Sequence, residues 1–138
     1  DFKQFNALGD SLAAQFDKIE VLPDLFINGK FTLGENIGDL GGVNSAYDGL
    51  QLFLEKNNPI GDIDGFSQNQ RFFISWATIW RIKMREEALR TRIMTDPHSP
   101  GMYRGYVPLQ NIEAFYNAFN IDEGDAMYLS PLERVEIW

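Results

Sequence analysis

The sequence predicts a mainly α fold with long connecting loops, and three observations carry this prediction. Apolar residues recur at helical spacing in several long segments. Clusters of proline and glycine separate these segments from one another. The chain has 138 residues, of which 44% are hydrophobic and 14% aromatic, so it can build a real core. We therefore expect residues 1–138 to belong to one domain.

Charge and composition exclude several classes of function. The net charge of -8 argues against nucleic-acid binding, because phosphate contacts require a basic surface. No apolar run reaches the roughly 18 residues that a membrane span needs. The absence of cysteine excludes disulfides and thiolate metal ligands. Catalytic zinc usually takes three protein ligands that include histidine, so a chain with the single histidine His98 is not expected to complete such a site alone.

The first half of the chain predicts two helices and a connector. Apolar residues from Phe5 to Phe16 share one face of an amphipathic helix over residues 2–19. Residues 21–31 contain proline and an Asn-Gly turn signal, and they predict a connector with short extended pieces. A long glycine-rich helix is predicted over residues 33–56.

The second half predicts three more helices and an irregular tail. Ser67 is the predicted N-cap before a strongly apolar helix over residues 72–82, which should be mostly buried. A short charged helix is predicted over residues 85–94 and a last helix over residues 109–119. We expect the tail to dock on the body, because an exposed terminal Trp138 is unfavourable. The apolar face of the third helix consists of Phe73, Trp76, Ala77 and Trp80, and its tryptophans are core residues or the wall of a ligand pocket.

Three glycines weaken the second helix near its start. Gly38, Gly41 and Gly42 each cost about 1 kcal/mol relative to alanine, so we expect another element to approach the backbone closely there. Glu35 and Asp39 are four residues apart and share one face. Two interpretations stay open for these carboxylates. Either they point at a functional site, or Glu35 completes a capping box with a preceding threonine and Asp39 is a solvated helix residue.

The single histidine lies on a loop stiffened by prolines. His98 stands between Asp96 and Arg104, over residues 95–106, where glycines and prolines interrupt any helix. A carboxylate beside an imidazole orients it and favours its charged form. A charged imidazole and a guanidinium can stabilise an oxyanion or hold a peptide carbonyl. The alternative is an ordinary surface loop with one exposed histidine.

Together, residues 34–42 (GENIGDLGG) and residues 95–104 (TDPHSPGMYR) carry a family resemblance. In order and spacing they resemble the two C-terminal motifs of the neprilysin and endothelin-converting-enzyme family of zinc metalloendopeptidases, and bacterial oligopeptidase O most closely. The run RFFISWA over residues 71–77 and the terminal Trp138 are also similar. The resemblance implies the C-terminal helical half of a thermolysin-like (gluzincin) catalytic domain.

The resemblance implies a role for each matched residue. Glu35 corresponds to the third zinc ligand, and Asp39 to a carboxylate that orients a zinc-bound histidine. His98 corresponds to the side chain that stabilises the transition state, with Asp96 as its orienting partner. The substrate-binding positions would be Arg104, which holds a backbone carbonyl, and Ile79 and Trp80, which line the pocket for the residue after the scissile bond.

The family's His-Glu-x-x-His motif and its N-terminal lid domain are absent from the sequence, and we expect them upstream of Asp1. The implied function is zinc-dependent cleavage of peptides on the amino side of bulky apolar residues, with this chain inactive alone. Its partners would be peptide substrates and the missing N-terminal part of the same protein. Animal members of the family contain disulfides, which this cysteine-free sequence cannot form, so the resemblance suggests a bacterial source. Its location, extracytoplasmic or cytoplasmic, stays open. The alternative is a non-catalytic helical module for binding or assembly that retains the family scaffold.

Overall fold

Helices dominate the structure, a computed structural model that describes residues 1–58 and 61–137. A two-stranded antiparallel hairpin, β1 (Glu20–Leu22) and β2 (Leu25–Phe26), follows the first helix, and a 3-10 helix spans Pro108–Asn111. The mainly α prediction is confirmed. The α-helices of the described residues are α1 (Phe2–Asp17), α2 (Leu33–Lys56), α3 (Gln68–Ile79), α4 (Glu86–Thr95), α5 (Gly101–Tyr106) and α6 (Glu113–Phe119).

The core forms where α1, α2, α3 and α6 meet. Leu12 and Phe16 of α1 and Leu40 and Val43 of α2 are all nearly inaccessible to solvent. Such side chains supply most of the free energy of folding, because each removes a large apolar area from water. Phe73 of α3 joins them, and aromatic rings from α2 and α6 surround it. These rings are Tyr47 at 5.3 Å, Phe115 at 5.5 Å and Phe119 at 6.5 Å between centroids.

The irregular tail docks on this core, as predicted. Val135 is buried, and its backbone N–H donates to Asn111 Oδ1 at 2.8 Å. Asn111 and Gln15 also exchange hydrogen bonds, which ties the tail to α1. The prediction that Trp138 packs on the body concerns a residue outside the described range. The sequence also predicts a loop over residues 57–65, because prolines and glycines interrupt it, and its Pro59 likewise lies outside the described range.

Helix α3 differs from its prediction in burial. It begins with the predicted Ser67 cap, which forms a reciprocal capping box with Gln70. However, Phe73 is the one fully buried residue of α3, and Ala77 is exposed. The expectation of a mostly buried helix is wrong, because the described residues pack against the Phe73 side of α3 alone. No helix in the described part of the chain combines the length and apolarity that a membrane crossing requires.

Candidate functional site

The two motifs meet at the N-terminal end of α2. Glu35 lies in the first turn of this helix, and His98 lies in the loop between α4 and α5. His98 Nε2 is 3.1 Å from Glu35 Oε2, and Arg104 Nη2 is 3.6 Å from the same oxygen. Segments distant in the sequence therefore bring a carboxylate, an imidazole and a guanidinium together.

Asp96 holds the other edge of the imidazole. Its Oδ1 lies 2.6 Å from His98 Nδ1 and also accepts the His98 backbone N–H at 2.9 Å. These hydrogen bonds favour the carboxylate and lower the pKa of Asp96. The imidazole, whose side chain is 38% exposed, therefore lies between two carboxylates that restrict its rotation and leave one face open to solvent. The interpretation of this loop as carrying a simply exposed histidine is wrong.

Asp39 and Arg104 form a largely buried bidentate ion pair. Arg104 Nε donates to Asp39 Oδ2 at 2.6 Å, and Nη2 donates to Oδ1 at 2.8 Å. The hydrogen bonds to Asp39 raise the pKa of Arg104. The guanidinium also lies 4.2 Å from the centroid of the Trp80 ring, so it is held by cation–π contact on one side. The interpretation of Asp39 as a solvated helix residue is therefore wrong.

The capping-box interpretation of Glu35 is also wrong. Thr32 precedes α2, but its side chain caps no backbone N–H of the helix. The Thr32 hydroxyl instead donates to the carbonyl of Asn28 at 3.1 Å. The Glu35 carboxylate is directed at His98 and Arg104 rather than back at the start of its own helix.

Asn36 and Ser99, which the sequence reasoning did not single out, also join the two motifs. Ser99 Oγ donates to Asn36 Oδ1 at 2.9 Å, and both residues are completely buried. A signal was present, because Asn36 shares the spacing of Leu40 and Val43 and so lies on the buried face of α2. A buried amide requires a hydrogen-bond partner, and Ser99 is that partner.

The glycine-rich face of α2 points away from the described residues. A Cβ atom built on Gly34, Gly38 or Gly42 would meet nothing within 4 Å. A shallow groove of about 250 Å³ runs along this face, lined by Ile37, Gly38, Gly41, Gly42 and Ser45. At Gly38 and Gly42, the predicted close approach to the backbone is thus not made by any residue that the structure describes.

The two predicted pocket residues lie in different surroundings. Trp80 packs beneath Arg104 and against Gly105, on which an added Cβ would lie 3.4 Å from Trp80 Cβ. Ile79 is 63% exposed. It lines a depression formed with Ile63, Phe66 and Ile74, and Trp80 is not part of that lining. Their assignment to one substrate pocket therefore remains a prediction.

Of the ligands predicted for the zinc site, this sequence supplies one, the side chain of Glu35. Glu35 has a half-exposed carboxylate, which suits an oxygen ligand of zinc. Within residues 1–58 and 61–137, no three histidine, cysteine, aspartate or glutamate side chains are placed to hold a metal ion together. The residues present fit a contribution to a zinc site and do not fit a complete one.

Comparison with known proteins places this geometry in a family. Residues 1–135 match the family model described as peptidase family M13. The chain belongs to peptidase family M13. The M13 chain is 33% identical over all of its 138 residues to a neutral endopeptidase of Lactococcus lactis subsp. lactis. It is also 36% identical over 114 residues, or 81% of its length, to an endothelin-converting enzyme homolog of Locusta migratoria, 15% of whose length is covered.

Solved structures show the same fold. A zinc metalloprotease of Mycobacterium tuberculosis in complex with an inhibitor matches 99% of the M13 chain, with a TM-score of 0.92 and 40% identity. PepO from Lactobacillus rhamnosis matches 99% with a TM-score of 0.79 and 35% identity. The M13 chain covers 22% and 20% of those two chains. It likewise spans about a fifth (20%) of the length of the Lactococcus relative.

Proposed function

We propose that the polypeptide to which this chain contributes is a zinc metalloendopeptidase that cleaves peptides on the amino side of bulky apolar residues. The observation that carries the proposal is that the His98 imidazole and the Arg104 guanidinium both lie within 3.6 Å of the Glu35 carboxylate. Membership of peptidase family M13 supports it, and so does the similarity to the Mycobacterium zinc metalloprotease.

Each side chain of the site has a distinct task in this proposal. Glu35 supplies one zinc ligand. When bound, zinc polarises a peptide carbonyl and activates water. His98, held by Asp96, donates a hydrogen bond to the oxyanion that develops on the substrate carbonyl. Arg104 positions the substrate backbone, and its ion pair with Asp39 keeps the guanidinium from moving.

The remaining ligands and the general base come from a His-Glu-x-x-His segment outside this sequence. The open glycine face of α2 is suited to receive that segment, because a helix face that lacks side chains lets another backbone approach closely. This arrangement would bring the incoming ligands close to Glu35, which lies in the first turn of the same helix. The implied partner is therefore the rest of the same polypeptide.

Metal content and turnover test the proposal in the intact protein. Glu35→Ala is expected to abolish zinc retention, measured by elemental analysis after dialysis, because it removes a ligand. His98→Ala is expected to retain zinc and to lower kcat by about a hundredfold or more, in line with the loss of an oxyanion donor.

A matched control is Glu113→Ala. Glu113 lies in the first turn of α6 and forms an ion pair with Arg134, as Glu35 lies in the first turn of α2 beside Arg104. It should change neither zinc content nor kcat. Wild-type zinc and kcat in both Glu35→Ala and His98→Ala would refute the role assignments. A reading frame without His-Glu-x-x-His would favour the alternative of a non-catalytic module.

A further inference from the structure

The loop that carries His98 enters the protein interior at one residue. Pro97 is exposed and His98 is half-buried, whereas Ser99 is completely buried. The Ser99 hydroxyl donates to Asn36 Oδ1 at 2.9 Å, and Asn36 is also completely buried. The backbone of the loop is therefore attached to α2 at a position one residue beyond the imidazole.

The Asn36 side chain is itself held in place from the other side. Its Nδ2 donates to Thr32 Oγ1 at 2.9 Å, and that hydroxyl donates to the backbone carbonyl of Asn28. A continuous chain of hydrogen bonds thus connects Ser99, through Asn36 and Thr32, to the turn before α2. Because the two hydrogen bonds of the Asn36 side chain are buried, the amide has one orientation that satisfies both of them.

We propose that the Asn36–Ser99 hydrogen bond is a positioning contact that sets the distance between the Glu35 carboxylate and the His98 imidazole. The inference rests on the proposed function, since Asn36 and Ser99 act through these two neighbours. Each partner follows one of them directly in the sequence, so a shift of the loop against α2 at this bond moves His98 relative to Glu35. The Asp39–Arg104 pair lies one helical turn further along α2, and its guanidinium reaches Glu35 only at 3.6 Å. The Asn36–Ser99 bond adds a fully buried hydrogen bond directly beside the Glu35–His98 contact.

Misplacement of a reacting group by about 1 Å can cost about a hundredfold in rate. In the intact protein, Ser99→Ala and Asn36→Ala are therefore each expected to lower kcat about tenfold to a hundredfold. KM and the zinc content after dialysis should stay at wild-type values, because neither residue binds substrate or metal. The kcat of the double variant should be no lower than that of the slower single variant, since both substitutions remove the same Asn36–Ser99 hydrogen bond.

Asn111→Ala is the control for general loss of stability. Asn111 is also a buried amide, but it belongs to a separate cluster with Gln15, Val107 and Val135. It should lower the urea midpoint at least as much as Ser99→Ala and leave the kcat of the folded protein unchanged.

Unchanged kcat in both single variants would overturn the inference, as would zinc loss in step with the loss of kcat. If Asn36→Ala does not fold, Ser99→Ala, which removes one oxygen atom, carries the test. Zinc retention by Glu35→Ala would instead refute the proposed function, so the two failures are distinguishable.

Discussion

At the scale of single residues, long-range ion pairs explain the two carboxylates at the start of α2. Asp39 pairs with Arg104, which lies 65 residues away in the sequence. Glu35 is held by the same guanidinium and by His98. Glu35 does not cap α2, and Asp39 is not a solvated residue of this helix. The local sequence is nevertheless compatible with both of these roles. Local spacing could not separate these cases, because the deciding partners come from a distant loop.

The pH dependence of stability should reveal the Asp96–His98 contact. The hydrogen bonds from His98 lower the pKa of Asp96 in the folded state. Its stabilising contribution is therefore complete above the ordinary aspartate pKa of about 3.9 and is lost as pH falls through the lower folded value. We expect Asp96→Asn to lower the urea midpoint equally at neutral and mildly acidic pH, with a difference that shrinks below about pH 4. A difference that stays constant down to about pH 2 would contradict this assignment.

At the scale of elements, α2 has two unlike faces. One face is buried and carries Asn36, Asp39, Leu40 and Val43. The other carries glycines whose added Cβ atoms would meet open space. Packing of the buried face therefore offsets part of the helix instability that the glycines cause. The opposite face remains free for a close neighbour.

Replacement of a glycine on the open face should stabilise the chain. Gly42→Ala is expected to raise the free energy of unfolding by about 1 kcal/mol, because alanine favours the helix and its Cβ meets no atom. Gly29→Ala is the control with the opposite sign, since its Cβ would lie 2.0 Å from the Ala13 carbonyl oxygen. Urea unfolding of both variants measures the difference. Destabilisation by Gly42→Ala would show that an element covers this face.

The phenol of Tyr116, a buried residue, also attaches the tail to the body of the protein. Tyr116 Oη donates to the Gln110 carbonyl at 2.8 Å and accepts the Leu129 backbone N–H at 2.8 Å. Arg134 lies 3.6 Å above the same ring. Tyr116→Phe should lower the free energy of unfolding by about 1 kcal/mol, because the partly buried Gln110 carbonyl and Leu129 N–H lose their hydrogen bonds to the phenol. Hydrogen exchange at Leu129 should accelerate more than at Leu40 in the core, and equal acceleration would argue for a global rather than a local effect.

At the scale of the whole molecule, the chain presents a partial site at one end of α2. The described residues bring together one predicted zinc ligand and the groups around it, and none of them forms a complete metal cluster. Exposed apolar side chains such as Ile74 and Ile79 leave the outer side of α3 uncovered as well. Both features fit a chain that spans 20% of the length of its Lactococcus relative.

The 138-residue chain should therefore show no zinc-dependent peptidase activity. One carboxylate ligand cannot hold zinc tightly, and the proposed general base lies outside the sequence. The measurement is turnover of a peptide with a bulky apolar residue after the scissile bond, in excess zinc, with and without a chelator. Glu35→Ala provides the matched sample, which should be indistinguishable from wild type. Chelator-sensitive turnover that disappears in Glu35→Ala would show that the chain completes a site alone.

The sequence predicted most of the helices, because helical periodicity, caps and breakers act within a few residues. It missed α5 (Gly101–Tyr106), which lies in the segment predicted as a loop because its glycines and the preceding prolines are typical of one. The predicted helix over residues 33–56 coincides with α2, and the Ser67 cap is present. Burial of α3 was predicted wrongly, because apolarity does not reveal whether a neighbouring element is available. Asn36 was missed for a related reason. The role of a polar residue on a buried helix face can be recognised only when its hydrogen-bond partner, here Ser99, is known.

The amino-acid sequence therefore specifies the helical class, most of the chain segments that become helices, and the two motifs that indicate peptidase family M13. This information is local, or lies in residue types at short spacing. Folding in three dimensions adds which carboxylate meets which cation, the buried bond between Asn36 and Ser99, and the side of α2 that stays open. These features depend on contacts between segments more than sixty residues apart, with separations of 63 and 65 residues for the two main links. Such contacts follow from packing the whole chain, and no short-range pattern encodes them.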